Sequence, residues 1–591
     1  MTDAAGLLKS TRAIAAGALP LCLASGVAHG LLAVVVAWII SGVIDAVVFH
    51  SADLAAVSGR IAFLFILYFV RAAVAFVADQ AGFHAAARVR RHLFGRLLAE
   101  IGILGPVRLA GTPTGDLVTT LTDAVTAIEP YWRRWIPAMA TTAIMPLAIL
   151  LIVAPLDWLS GVILIATAPL IVVFMALVGK GAEQANQRQW RNLARLGGHL
   201  LDAVQGLADL KLLRASKREI GIVARMADGY RRDTMSVLRL AFLSALVLEF
   251  FATVSIALVA VLIGFRLMWG EMDFRAGFFI LLLAPEFYAP LRTMGAQRHA
   301  RMEAIAAAER LVDLLDRPRP AAAPGNRQLA PRPAVALRFE DVHVAYADGH
   351  HALKDVNLDI ASGEHIAIVG PSGAGKSTLL ALLLGFVEAR SGRVLVEGAP
   401  IGELDLAAWR SLIAYVPQRP HLFDGTLDDN ITMGRAAANG EFDAAIAAAL
   451  TAARADDFIA RLPDGRQTRL GERGEGLSGG EAQRIALARA FFRPAPLVLF
   501  DEPTAHLDPP TERLVNEAIA DLARGRTMIS IAHRLATVRR ADRILVLADG
   551  RIVEDGRHDE LAAAGGLYAR MTQRARGAMK SSAPRDGRCA A

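Results

Sequence analysis

Six long apolar runs fill the first half of the chain, and short apolar runs between polar, glycine-rich breaks fill the second. The long runs lie at about 19–45, 59–81, 133–156, 158–179, 241–268 and 274–296. A bilayer crossing takes about 20 helical residues, so each run predicts a spanning helix. Two connections keep a helical pattern outside the apolar runs. Residues 82–103, with Ala85, Val89, Leu93 and Leu97, meet no breaker before Gly105-Pro106, and 181–240 is similarly rich in Ala, Leu and Arg. The pattern predicts helices that continue past the lipid and turn at short tips. These tips are placed near Thr114-Gly115-Asp116-Leu117 and Val204-Gln205-Gly206-Leu207-Ala208-Asp209. From 335 to about 570, strand-like and helix-like runs alternate, as in an α/β domain with a partly parallel sheet. Arg317-Pro318-Arg319-Pro320 and Pro331-Arg332-Pro333 cannot hold a helix and mark a linker. The expected organisation is multidomain. An all-α six-helix transmembrane domain (1–316) leads through a linker (317–334) to an α/β P-loop domain (335–573), and a basic tail (574–591) reads as disordered.

Composition agrees with a membrane protein: 54% of residues are apolar, 20% are charged, and mean hydropathy is +0.39. The charges are distributed unevenly. Residues 46–59 and the turn Pro155-Leu156-Asp157 carry no Lys or Arg, and Gly270-Glu271-Met272-Asp273 is acidic. The long connections carry Arg88, Arg90, Arg91, Arg96 and Arg108, then Lys180, Arg188, Arg191, Arg195, Lys211, Arg214, Lys217 and Arg218. Positive charge marks the cytoplasmic side, which places both termini and both long connections there. The formal charge of +7 therefore needs no nucleic-acid partner. Lys9 and Arg12 before an apolar run could imitate a secretory signal. That run has no small-residue cleavage site and reads as a retained first span. Cys22 and Cys589 sit in unlike settings and suggest neither a disulfide framework nor a Cys metal site.

The chemistry centres on Gly370-Pro371-Ser372-Gly373-Ala374-Gly375-Lys376-Ser377-Thr378. An apolar strand pattern (Ile366 to Val369) precedes it and a helical one (Leu379 to Leu383) follows. Strand, G-x-x-x-x-G-K-S and helix together form a phosphate-binding P-loop. The glycines let backbone N–H groups wrap a phosphate, Lys376 reaches the β/γ-phosphates, and Ser377 offers a hydroxyl to Mg²⁺. The chain is expected to bind a nucleoside triphosphate. Further along come Tyr346, which ends a strand, and Gln418 in Tyr415-Val416-Pro417-Gln418. Leu477-Ser478-Gly479-Gly480-Glu481 opens a helix, and Asp501-Glu502 ends the strand Leu497 to Phe500. Asp508 and then His533 complete the series.

In this order the motifs resemble the nucleotide-binding domain of ABC transporters. The resemblance implies that Tyr346 stacks on adenine and that Gln418 senses Mg²⁺. It implies that Ser478, Gly479 and Gly480, with Glu481, form the signature loop facing a partner's ATP, and it places Asp508 in the nucleotide-binding set. Asp501 becomes the Mg²⁺ partner, Glu502 the general base and His533 the γ-phosphate switch. The membrane half resembles the exporter fold of the same superfamily, so one chain makes a half-transporter and two must pair. Leu281-Leu282-Leu283-Ala284-Pro285-Glu286-Phe287-Tyr288-Ala289-Pro290-Leu291-Arg292, with Asp501 to Asp508, is similar to CydD-type subunits of the CydDC exporter family. That resemblance implies a bacterial inner-membrane heterodimer with a CydC-type half-transporter. Its substrate would be a small thiol (cysteine or glutathione), and its export would support cytochrome bd assembly. Haem b is implied without assigned positions. The alternatives are a homodimeric drug or lipid exporter and a haem-binding regulatory complex.

Three ionisable residues fall inside the predicted spans. Arg71 lies about 12 residues into the second, Glu249 about 9 into the fifth and Glu286 about 12 into the sixth, so at about 1.5 Å per residue all three come near the midplane. Facing lipid, each would cost at least about 2.5–3.5 kcal/mol. Two readings stay open: a structural ion pair of Arg71 with one glutamate, or a site for a zwitterionic substrate.

Overall fold

The structure is a computed structural model that describes residues 3–319, 325–346, 349–434, 441–471, 476–505, 507–532 and 534–573. The chain divides into two compact units. One comprises 1–102 with 111–317, and the other 103–110 with 318–591.

The first unit is helical. Its long helices are α1 (Leu19–His50), α2 (Leu54–Arg108), α3 (Ile136–Leu156), α4 (Trp158–Gln205), α5 (Ser216–Met268) and α6 (Phe274–Ala296), followed by α7 (Arg298–Leu315). Among the described residues, five helical stretches are long and apolar enough to cross a membrane. They are α1, α2, the stretch ending in α3, the Glu249–Met268 part of α5 and the stretch beginning with α6; α4 adds the shorter apolar stretch Trp158–Ile171. Each of the six apolar runs lies in one of these helices, the third beginning in the π-helical turn Tyr131–Trp135. The helical pattern outside the runs appears as the far ends of α2, α4 and α5. Short helices Thr114–Thr119 and Leu207–Leu212 stand at the expected tips. Helix α2 breaks at Gly105, whose φ of 66° is left-handed, just before Pro106. The stretch 103–110 at that break groups with the second unit.

Helix α6 is the best covered span because its large side chains repeat on one face. Phe279, Ile280, Leu283, Phe287, Tyr288 and Leu291 are buried against Ile149 and Val153 of α3, Leu164 of α4, and Val259 and Ile263 of α5. The Tyr288 hydroxyl shares a 2.7 Å hydrogen bond with Thr167 Oγ1, satisfying a polar atom at depth. At the acidic end, Asp157 accepts from Ser160 N (3.1 Å) and pairs with Arg266 of α5.

The second unit has a six-stranded sheet and an antiparallel four-stranded sheet. The antiparallel sheet runs β2-β1-β4-β5, with β1 Leu337–Ala345, β2 His351–Ile360, β4 Ser391–Val396 and β5 Ala399–Pro400. In the larger sheet β6 (Ile413–Val416), β9 (Leu497–Asp501), β10 (Thr527–Ile531), β3 (His365–Val369) and β11 (Arg543–Ala548) are parallel neighbours. Strand β12 (Arg551–Gly556) closes it antiparallel. The hairpin of β7 (Gly425–Thr426) and β8 (Arg469–Leu470) stands apart. Strand β10 is buried along its whole length and β9 up to Asp501, because both their faces are covered. The parallel register brings the carboxyl ends of β3, β9, β10 and β6 to one edge, where α/β sheets bind ligands.

At the opposite end of β3, burial pushes the His365 imidazole down to about 4, opposed in part by the Asp542 carboxylate. In the unfolded chain a histidine takes up its proton near pH 6.5. Between that pH and about 4 the unfolded state therefore binds more protons, and stability falls as pH falls through this window. Thermal unfolding of the second unit should shift to lower temperature between pH 7.5 and pH 5, with a shallower shift in His365→Gln. Equal slopes would show that His365 contributes nothing.

Candidate functional site

Residues 370–375 form a loop between β3 and the helix Lys376–Leu383, whose Leu379, Leu380, Leu382 and Leu383 anchor it in the core. Gly373 (φ 80°) and Gly375 (φ 101°) hold left-handed conformations. At Gly375 a Cβ would lie 2.4 Å from the Ala352 carbonyl oxygen. The loop borders a cavity of about 450 Å³ lined by Tyr346, His350, Ser372 to Thr378 and Glu502. Tyr346 is fixed there by a 3.0 Å hydrogen bond between its hydroxyl and Thr378 Oγ1. Lys376 Nζ donates to the carbonyl oxygens of Gly370 and Pro371, each at 2.8 Å. Burial draws its ammonium below the ordinary lysine value, while the Glu502 and Asp501 carboxylates push it back up.

Asp501 ends β9, and Glu502 follows with a left-handed φ of 48°, uncommon for a residue with a side chain. Its N–H donates to Ile531 O (3.1 Å) and its carbonyl accepts from Ala505 N (3.0 Å), which holds that conformation. Gln418, just beyond β6, donates through Nε2 to Glu502 Oε2 at 3.0 Å. Lys376, Asp501, Glu502 and Gln418 thus converge on one edge, and the arrangement suits a phosphate with a water beside it.

The sequence reading missed Tyr415, three residues before Gln418. Loss of solvation, and then the neighbouring Asp501 carboxylate to which it donates, push its phenol up to about 12. Only the sheet order, which puts β6 beside β9, brings this tyrosine to Asp501.

Ser478, Gly479 and Gly480 open the helix Gly479–Phe492, and Ser478 and Gly479 are exposed. Glu481 is engaged in a capping box: it accepts from Ser478 N (2.8 Å), and its own N–H donates to Ser478 Oγ (3.3 Å). Asp508 likewise caps the helix Pro509–Ala523, accepting from Thr511 N at 3.1 Å. Both carboxylates hold loop geometry here. His533 and the tail 574–591 lie outside the described residues. Ser377, Asp501 and Gln418 offer a hydroxyl, a carboxylate and an amide oxygen, a donor set of the hard oxygen type that suits Mg²⁺. Haem, which rests on resemblance alone, is assigned no ligand among these residues.

In the spanning helices, Arg71 of α2 pairs with Glu286 of α6, Nη2 to Oε1 at 3.0 Å, with both side chains half-buried. Arg71 Nε is shielded from solvent and finds no acceptor among the described residues. Glu249 is not part of this pair. Its carboxylate, 62% exposed, accepts from Arg292 Nη1 at 2.8 Å.

The profile of the ABC transporter family matches residues 353–505, and that of the ABC transporter transmembrane region matches 19–291. The chain is 36% identical to the transport ATP-binding protein AarD of Providencia stuartii, over 92% of this chain and 94% of that one. It is 35% identical to the glutathione/L-cysteine transport system ATP-binding/permease protein CydD of Escherichia coli K12, over 92% and 93%. A solved bacterial Atm1-family ABC exporter with ATP bound superposes with a TM-score of 0.80 at 27% identity, covering 95% of this chain and 98% of that one.

Proposed function

The chain belongs to the ABC transporter family as a half-transporter of the CydD/CydC type, and from that premise we propose that it exports a small thiol, cysteine or glutathione, from cytoplasm to periplasm. ATP hydrolysis drives the transport. The partner is a CydC-type half-transporter, and the heterodimer sits in a bacterial inner membrane with both termini cytoplasmic. The charge distribution of the connections supports this orientation. The exposure of Ser478 and Gly479 supports pairing, since a signature loop has to meet another chain's nucleotide. Thiol export would in turn support cytochrome bd assembly.

In hydrolysis, the P-loop amides and Lys376 hold the phosphates, and Tyr346 faces the base. Mg²⁺, held by Ser377 and through water by Asp501 and Gln418, would neutralise phosphate charge. Glu502, oriented by Gln418, takes the proton of the attacking water, and His533 contacts the γ-phosphate.

The observation that carries the substrate reading is the Arg71–Glu286 pair with its unsatisfied Nε. A guanidinium and a carboxylate, half-buried between two spans, match the carboxylate and ammonium of an amino-acid zwitterion. Removing one member alone would strand the other, so the test removes both charges. In the complex with its partner, Arg71→Gln/Glu286→Gln should raise the thiol concentration needed to stimulate ATPase by at least about 10-fold, each charge-assisted bond contributing about 1.5–3 kcal/mol. Basal ATPase should be unchanged. Unaltered thiol stimulation would remove these residues from the substrate path, and joint loss of folding and basal activity would make the pair structural.

A further inference from the structure

Two arginines at the acidic end of the spanning bundle make no ion pair among the described residues. Arg60 lies near the start of α2, and Arg275 is the second residue of α6. Several other charges at that end are engaged. Arg266 is held by Asp157 and Glu271, Asp45 lies 3.7 Å from His50, and Asp273 caps Ala276 N at 3.4 Å. Arg275 lies over the Trp38 ring, 4.2 Å from its centroid, and against Gly42, where a Cβ would meet Nε and Nη2 at 3.3 Å. Its Nε is shielded from solvent and has no acceptor among the described residues, an arrangement that costs free energy unless something else accepts.

Arg60 and Arg275 border one cavity of about 400 Å³ between α1, α2 and α6, walled by Trp38, Gly42 and Phe63. From Phe63, the exposed side chains of Ile66 and Val70 follow at helical spacing along α2. Two guanidinium forks thus sit at the head of an apolar track. We propose that this cavity binds one anionic phospholipid, its phosphate bridged by Arg60 and Arg275 and an acyl chain lying on Phe63, Ile66 and Val70. Guanidinium forks match phosphate oxygens, and the apolar track that starts beside them lies in a spanning helix, where an acyl chain joined to that phosphate would run and a soluble anion has nothing to place. The proposed phosphate ligands, Arg60 and Arg275, are neither Arg71 nor Glu286, so the proposal does not depend on the thiol reading.

The test is a titration of the detergent-purified full-length complex with phosphatidylglycerol, read by native mass spectrometry beside phosphatidylcholine and inorganic phosphate. Wild type should retain one phosphatidylglycerol in preference to phosphatidylcholine, and millimolar phosphate should not displace it. Arg60→Gln, at an exposed position that leaves packing intact, and Arg275→Gln should each weaken retention about 10-fold, one charge-assisted bond's worth, with basal ATPase unchanged. Retention equal to wild type in Arg60→Gln would overturn the proposal. So would equal retention of phosphatidylcholine, and displacement by inorganic phosphate would replace the lipid with a soluble anion.

Discussion

Glu502→Gln is expected to slow ATP turnover by about 10²–10⁴-fold while nucleotide binding stays near the wild-type level, the range for losing a positioned general base. The substitution keeps the side chain's shape, and its amide oxygen can still accept from Gln418 Nε2, now at 3.0 Å from Oε2. The backbone should hold too, because the left-handed φ is fixed by main-chain bonds to Ile531 and Ala505. What disappears is the basic carboxylate beside the phosphate site. Steady-state ATPase and equilibrium binding of a fluorescent ATP analogue, measured on the same complex, separate the two effects. A variant that hydrolyses at the wild-type rate would place the base elsewhere or assign all turnover to the partner's site.

Gly375→Ala is expected to abolish nucleotide binding by this chain's P-loop. The position has φ 101°, and an added Cβ would lie 2.4 Å from the Ala352 carbonyl oxygen. That oxygen is backbone, so no side-chain rotation relieves the clash. The loop would have to leave its cradle geometry, tilting Lys376 and the following amides away from the phosphates. Strain of this kind costs on the order of 1–3 kcal/mol before any lost contact is counted. Binding of the ATP analogue by the variant at wild-type affinity would show that the loop tolerates the shift.

The P-loop was legible in the sequence because its chemistry is local: nine consecutive residues, a strand before them and a helix after. The spans were legible because a length of apolar residues is counted directly, without knowing which face packs where. What the one-dimensional pattern lacks is rotational phase between distant helices. Arg71, Glu249 and Glu286 could be placed at similar depth, yet only the packed bundle shows that Glu286 meets Arg71 while Glu249 meets Arg292. Arg292 had no prior claim, since it stands six residues beyond Glu286 and not at a matching depth. Tyr415 escaped for a related reason, its bond to Asp501 arising from sheet order, β6 beside β9, and not from sequence proximity. Ser478 and Glu481 are instructive in the other direction. S-x-x-E before a helix is a capping signature, and the structure shows that bond pattern in a loop first read for its ligand.

The Lys376 ammonium, bonded at 2.8 Å to two carbonyls of its own loop, acts as a template for the shape that phosphate will later fill. The loop therefore need not be ordered from a disordered ensemble when nucleotide arrives. Arrival and departure become exchanges of one set of polar partners for another, with little chain entropy at stake. Such a site favours rapid loading and unloading over maximal affinity. The free energy of nucleotide binding is then available to steps other than the ordering of this loop.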